Sequence, residues 1–79
     1  MYYIYVIQSL THNTRYVGST KNITDRIREH NIGKCRYTSS RSPWRLIYKE
    51  KYPTRGEAMK REKFLKSGQG RKFLDNLLK

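Results

Sequence analysis

The run Tyr2-Tyr3-Ile4-Tyr5-Val6-Ile7-Gln8 narrows the fold of this chain more than any other segment. Its aromatic and β-branched residues predict a strand. With a period of two, Tyr3, Tyr5 and Ile7 share one face, and Tyr2, Ile4 and Val6 share the other. A strand with bulk on both faces must be covered on both sides. The chain has 79 residues, of which 35% are hydrophobic. That supports one thin core, so residues 1–79 are expected to form a single domain with this strand inside it. The apolar run Ile4-Tyr5-Val6-Ile7 is far short of the roughly 20 residues that span a bilayer.

The remaining elements follow from local signals. Arg15-Tyr16-Val17 is a short strand ending at Gly18, paired with the first as a hairpin across the turn-like Ser9–Asn13. Asn22 caps a helix that carries Asp25 three residues on, runs to about Asn31 and stops at Gly33. Residues Lys34 to Pro43 read as a polar, basic loop. Trp44 to Lys51 alternates as a third strand, with Trp44, Leu46 and Tyr48 on one face. Thr54-x-x-Glu57 is a capping box that opens a second helix, ending near Ser67-Gly68. A last helix is expected after Gly70, with Phe73, Leu74, Leu77 and Leu78 on one stripe. The fold class is therefore α+β: a small antiparallel three-stranded sheet with helices packed on it, in the order β-β-α-β-α-α.

Charge bounds the partner. Eighteen Lys and Arg against six Asp and Glu leave a net charge of +12. Such a domain attracts polyanions, above all nucleic acid, whose neutralised phosphates release counterions. An anionic membrane surface and a ribosomal setting are the other readings of charge alone. An aromatic content of 13% argues against a disordered basic tail. The single Cys35 makes no internal disulfide, and no Cys/His group has zinc-site spacing. No basic n-region followed by a long apolar stretch opens the chain, so a cytoplasmic setting is expected.

Polar residues on apolar stripes are the informative anomalies. In the first helix Ile23 and Ile27 mark the buried direction; His30 projects within about 20° of Ile23, and Arg26 about 60° from it. In the second helix Ala58 and Leu65 mark the buried direction, and Glu62 projects between them and Met59. A buried unpaired charge costs several kcal/mol. Either these groups neutralise one another, with Glu62 pairing Arg26, or they line a wet cleft that admits phosphate. Phosphodiester hydrolysis calls for a carboxylate to hold a metal, a cation to meet developing charge, and a base for water. Glu62 and Arg26 suit the first two tasks; Tyr5, Tyr16 and His30 are candidates for the third.

The strand Tyr3-Ile4-Tyr5, with Tyr16-Val17-Gly18 eleven residues beyond Tyr5, resembles the paired signature of the GIY-YIG endonuclease superfamily. Arg26, eight residues after Gly18, His30 four later, and Ala58-x-x-x-Glu62-x-x-Leu65-Lys66 fall where that family places its arginine, its His or Tyr, and its glutamate. Tyr3 stands in place of the first motif glycine, and Ser19 in place of a lysine often found there. The chain is most similar to short stand-alone bacterial members, which look like the catalytic module of the excision-repair nuclease. The resemblance implies one divalent ion, Mg²⁺ or Mn²⁺, on Glu62. It implies Tyr16 as base or water-orienting group, Tyr5 placing nucleophile or phosphate, Arg26 stabilising charge, and His30 activating Tyr16 or touching phosphate.

The expected function is metal-dependent hydrolysis of nucleic acid by a structure- or backbone-directed DNA endonuclease, with DNA favoured over RNA and no membrane partner. A protein partner or a homodimer would then supply specificity. The rival expectation is a nucleic-acid-binding module that keeps the fold without useful catalysis. Substrate contacts are expected from Arg36, Thr38, Ser39, Ser40 and Arg41 in the basic loop, and from Lys66 and Arg71.

Overall fold

A computed structural model describes residues 1–34 and 36–78. Cys35, and with it the disulfide expectation, lies outside the described residues, as does Lys79. Three strands, β1 (Tyr2–Ser9), β2 (Arg15–Thr20) and β3 (Trp44–Tyr52), form an antiparallel sheet in the order β2-β1-β3. The helices are α1 (Ile23–Asn31), α2 (Arg36–Ser39), α3 (Arg55–Leu65) and α4 (Gly68–Leu77). None of the described helices is long and apolar enough to cross a membrane.

The two-faced first strand is the centre of the molecule. Ile4, Tyr5, Val6 and Ile7 are all at most 1% exposed. Ile4 and Val6 pack with Val17, Ala58, Leu65 and Leu74, beneath α3 and α4. Tyr5 and Ile7 pack on the other face with Trp44, Ile23 and Ile27, beneath α1. Each of these fully buried aliphatic side chains contributes about 1.5–3 kcal/mol.

Strict alternation along β3 fails at one point. Val6 lies opposite Tyr48 but Ile7 lies opposite Leu46, so Ile47 is an extra residue. The bulge keeps Trp44 and Leu46 with Ile7 and turns Tyr48 onto the opposite face, packed towards α3 and α4. Glu50 follows Tyr48 to that side, where Arg61 on α3 meets it with two hydrogen bonds of 2.9 and 3.0 Å. The Tyr48 and Tyr52 hydroxyls donate to the same carboxylate. Burial works to raise the Glu50 pKa, but these four donors outweigh it and hold it below the ordinary value. Burial and the neighbouring carboxylate push Tyr52 up to about 12.

The helix ends follow their caps. Asn22 Oδ1 accepts from the Asp25 N–H at 3.1 Å, and Gly33 takes a φ of +86° past the end of α1. Thr54 Oγ1 accepts from the Glu57 N–H at 3.3 Å. The last helix starts earlier than its two glycines suggest: Ser67 Oγ caps the N–H of Gly70, which sits inside the first turn of α4. The basic segment 34–43 also holds the single turn α2, which its composition does not announce.

Candidate active site

The site is built where α1 and α2 meet the edge of the sheet. Ile23 and Ile27 pack against the Tyr5 face, which aims the next inward position of α1, His30, beneath the helix. Asn31 pins the end of α1 to the start of β3: its Oδ1 accepts from the Trp44 N–H at 2.6 Å. His30 is then fully buried, with its Nε2 2.9 Å from the Tyr5 hydroxyl and its Nδ1 2.8 Å from the Thr38 hydroxyl. Burial, then the Arg26 guanidinium, holds its pKa below the ordinary value, against a smaller pull from Glu29. The ring is therefore neutral at pH 7. A neutral imidazole donates from one nitrogen and accepts at the other, so both hydroxyls run in one sense through it: Thr38 donates and Tyr5 accepts, or the reverse.

Tyr5 is itself 1% exposed, and Arg26 Nε donates to its hydroxyl at 3.4 Å. The hydroxyl fits because Gly18 lies opposite Tyr5 and lacks a side chain. A Cβ there would stand 2.4 Å from the Tyr5 oxygen. Tyr16 completes the cluster from β2. Its ring centroid is 5.1 Å from His30, edge-on, and 6.4 Å from Tyr5. Arg26 is partly exposed and also donates to Glu29 at 3.0 Å.

Glu62 reaches the same place from α3. The Lys66 ammonium lies 2.7 Å from its carboxylate and 5.8 Å from the Tyr16 ring centroid, so one cation bridges the two. The alternative of a Glu62–Arg26 pair does not form: each charge is met one turn away on its own helix. A groove of about 620 Å³ runs along the β2 edge, lined by Arg15, Tyr16, Tyr37, Lys66 and Arg71 among others. Tyr16, Arg26 and Glu62 are each partly exposed, and Tyr16 lines the groove; Tyr5 and His30 are buried.

Two expected substrate contacts, Thr38 and His30, need correction, because both side chains are buried. Thr38 is fully buried, its hydroxyl on His30 and its carbonyl accepting from Trp44 Nε1 at 2.8 Å, so it positions the histidine and meets no substrate. His30, fully buried, does not reach a phosphate in the groove. Ser39 turns its hydroxyl onto the Arg36 carbonyl, and Arg41 donates to the Tyr37 carbonyl. Arg36 and Ser40 are exposed beside them, and Lys66 and Arg71 line the groove. Tyr37 had no signal in the sequence, since a four-residue helix sets no periodic stripe; Asn31, four residues after Ile27, did fall beside the α1 stripe. The Glu62–Lys66 spacing was a visible i,i+4 pair.

The Glu62 carboxylate, paired with the groove-lining Lys66, is a hard oxygen donor of the kind that suits Mg²⁺ or Mn²⁺, which keep waters and take remaining ligands from substrate phosphate. Among the described residues no cluster of three or more His, Cys, Asp or Glu forms a closed metal cage.

The GIY-YIG catalytic domain model matches residues 1–74. A UPF0213 protein of Staphylococcus haemolyticus is 39% identical over 67 residues, covering 84% of this chain and 80% of that one. A UPF0213 protein of Listeria welshimeri is 42% identical over 62 residues, covering 77% and 68%. The solution NMR structure of a UPF0213 protein from Bacillus halodurans matches with a TM-score of 0.58 and 32% identity, over 98% of this chain and 85% of that one. By the family model over residues 1–74 and by these relatives, the chain belongs to the GIY-YIG catalytic-domain family and to its UPF0213 members.

Proposed function

We propose that this protein is a metal-dependent nuclease that hydrolyses phosphodiester bonds of nucleic acid, DNA by preference, and reads backbone or strand structure rather than base sequence. The observation that supports this best is the Lys66 ammonium joining Glu62 to Tyr16 at the rim of a cationic groove. Glu62 would hold Mg²⁺ or Mn²⁺, which when bound supplies Lewis-acid stabilisation of phosphate charge.

The chain's own residues supply the rest. A phosphate entering the groove meets Lys66 and Arg71. The partly exposed Arg26 guanidinium binds a phosphoryl oxygen whose charge grows in the transition state. Tyr16 orients the attacking water through its phenolic oxygen; to accept the water's proton it first gives its own to solvent, as a phenolate beside the Lys66 ammonium. As the water oxygen bonds to phosphorus, the bond to the leaving oxygen breaks and that oxygen takes up a proton from solvent. Tyr5, His30 and Thr38 are positioning residues: their hydrogen bonds fix Arg26 and the face on which Tyr16 rests. A protein partner or a second copy would add the specificity that a groove of this size does not.

The test is a panel of labelled single-stranded, nicked and branched DNA, with Mg²⁺, Mn²⁺ or chelator. Cutting that needs metal and disappears in Glu62→Ala, while binding persists, is the expected result. Arg26→Ala should lower turnover roughly a hundred- to a thousandfold with a modest loss of affinity. The Lys66 ammonium seated on the Glu62 carboxylate favours a second reading, a binding module without turnover. Binding with no cutting of any substrate would select it.

A further inference from the structure

Tyr37 is an aromatic ring in an unusual place. It is 54% exposed, on the single turn α2, and it lines the groove beside Tyr16, Lys66 and Arg71. A lone exposed aromatic needs no explanation. This one ends a row of rings that starts in the core. Tyr5 leads to His30 at 5.7 Å, His30 to Tyr16 at 5.1 Å, and Tyr16 to Tyr37 at 5.6 Å. The inner members are locked by burial and hydrogen bonds, so the outermost ring is backed by a fixed surface. A flat cation already lies over it: the Arg41 guanidinium is 4.9 Å from the ring centroid and donates to the Tyr37 carbonyl at 3.2 Å.

We propose that Tyr37 is a stacking platform for an unpaired nucleobase next to the scissile phosphate. The groove along β2 then takes single-stranded nucleic acid, such as a flap or a splayed end, in preference to duplex. This rests on the nuclease reading above and names its substrate class. Charge complementarity identifies the occupant. Lys66 and Arg71 line the same groove and suit a phosphate backbone, while the ring between them and Arg41 suits a base. The volume of about 620 Å³ is in the range of pockets that hold a single small ligand. Bases inside a duplex are already stacked on their neighbours and offer no face to a ring. Only an unpaired or flipped base can use Tyr37. An arriving base displaces the Arg41 guanidinium from the ring and leaves it beside the flanking phosphate.

The experiment reads binding alone, in chelator, so that no strand is cut. Oligonucleotides carry 2-aminopurine at successive positions, and each is titrated as single strand and as duplex. The wild-type protein is expected to quench the probe at one position of the single strand and to bind single strand more tightly than duplex. Tyr37→Ala should weaken single-strand binding about five- to 150-fold, remove the quenching and leave duplex binding unchanged. Tyr37→Phe should behave as wild type, which also controls for folding. Equal loss on single strand and duplex, no loss on either, or no quenching at any position would overturn the proposal. Failure here leaves the nuclease reading to its own cutting assay. Loss of cutting there leaves the stacking measurement intact.

Discussion

Gly18 and Tyr5 form one unit, although they lie thirteen positions apart in the sequence. The Tyr5 ring is sealed in the core, and its hydroxyl occupies the space that a side chain at 18 would fill. A methyl group there would push the oxygen away from His30 and Arg26. Gly18→Ala should therefore destabilise the fold by about 1–3 kcal/mol, measured by denaturant unfolding, and lower any turnover further than stability explains. His30 gives a prediction of opposite kind, read in pH. Its folded pKa lies below the unfolded value, which is near 6.5. Between those two values the unfolded chain binds more protons than the folded one. Stability is thus constant above that window and falls as pH drops through it, by up to about 1.4 kcal/mol per pH unit. Unfolding midpoints between pH 7.5 and 5.5 should show this slope in the wild type and a flat line in His30→Gln. The same slope in both would place the titration elsewhere.

Helix α3 carries the site's carboxylate, and its seating on the sheet decides where that carboxylate points. Arg61 clamps to Glu50, with its guanidinium also over Phe64 and Phe73 at 5.0 and 4.9 Å, and Glu62 is the next residue. One turn on, Lys66 neutralises Glu62 in the free protein. On the proposed reading that ammonium competes with a metal ion. The pair is partly exposed and so worth about 0.5–1 kcal/mol. Lys66→Met should then bind Mn²⁺ about two- to fivefold more tightly, measured by electron paramagnetic resonance of the free ion. Unchanged or weaker binding would mean that Lys66 does not guard the carboxylate. The end of α3 explains Gly70 as well: a Cβ there would lie 2.1 Å from the Phe64 carbonyl oxygen, so the close approach of α4 requires glycine. At this scale the sequence was legible where the helical period was long enough to show an anomaly. His30 and Arg26 stood out against Ile23 and Ile27 over more than two turns. Thr38 did not, because a four-residue helix has no period to violate, and its hydroxyl reads as solvent-facing until His30 is placed above it. The bulge at Ile47 left no mark either, since an extra residue in a strand changes the pairing and not the composition.

Taken whole, the molecule commits its few acids to its own structure and leaves its cations for a partner. Asp75, Glu29, Glu50 and Glu62 are each paired with Arg or Lys, and Asp25 and Glu57 sit in the first turns of α1 and α3. Against 18 Lys and Arg, that arrangement leaves most cations without an acidic partner among the described residues. Binding to nucleic acid should accordingly weaken steeply with salt. A single strand releases about 0.7 counterion per phosphate neutralised, so about three to five contacts along the groove give a slope of log K against log salt near −2 to −3.5. Arg71 lines the groove and is exposed, so Arg71→Ala should shrink that slope by about 0.7 and weaken binding most at low salt. Tyr37→Ala should lower affinity at every salt concentration and leave the slope unchanged, because stacking releases no counterion. Fluorescence anisotropy of a labelled single strand, titrated from low to high salt for the three proteins, separates the two effects. A slope that Arg71→Ala does not alter would place the backbone on another face of the molecule.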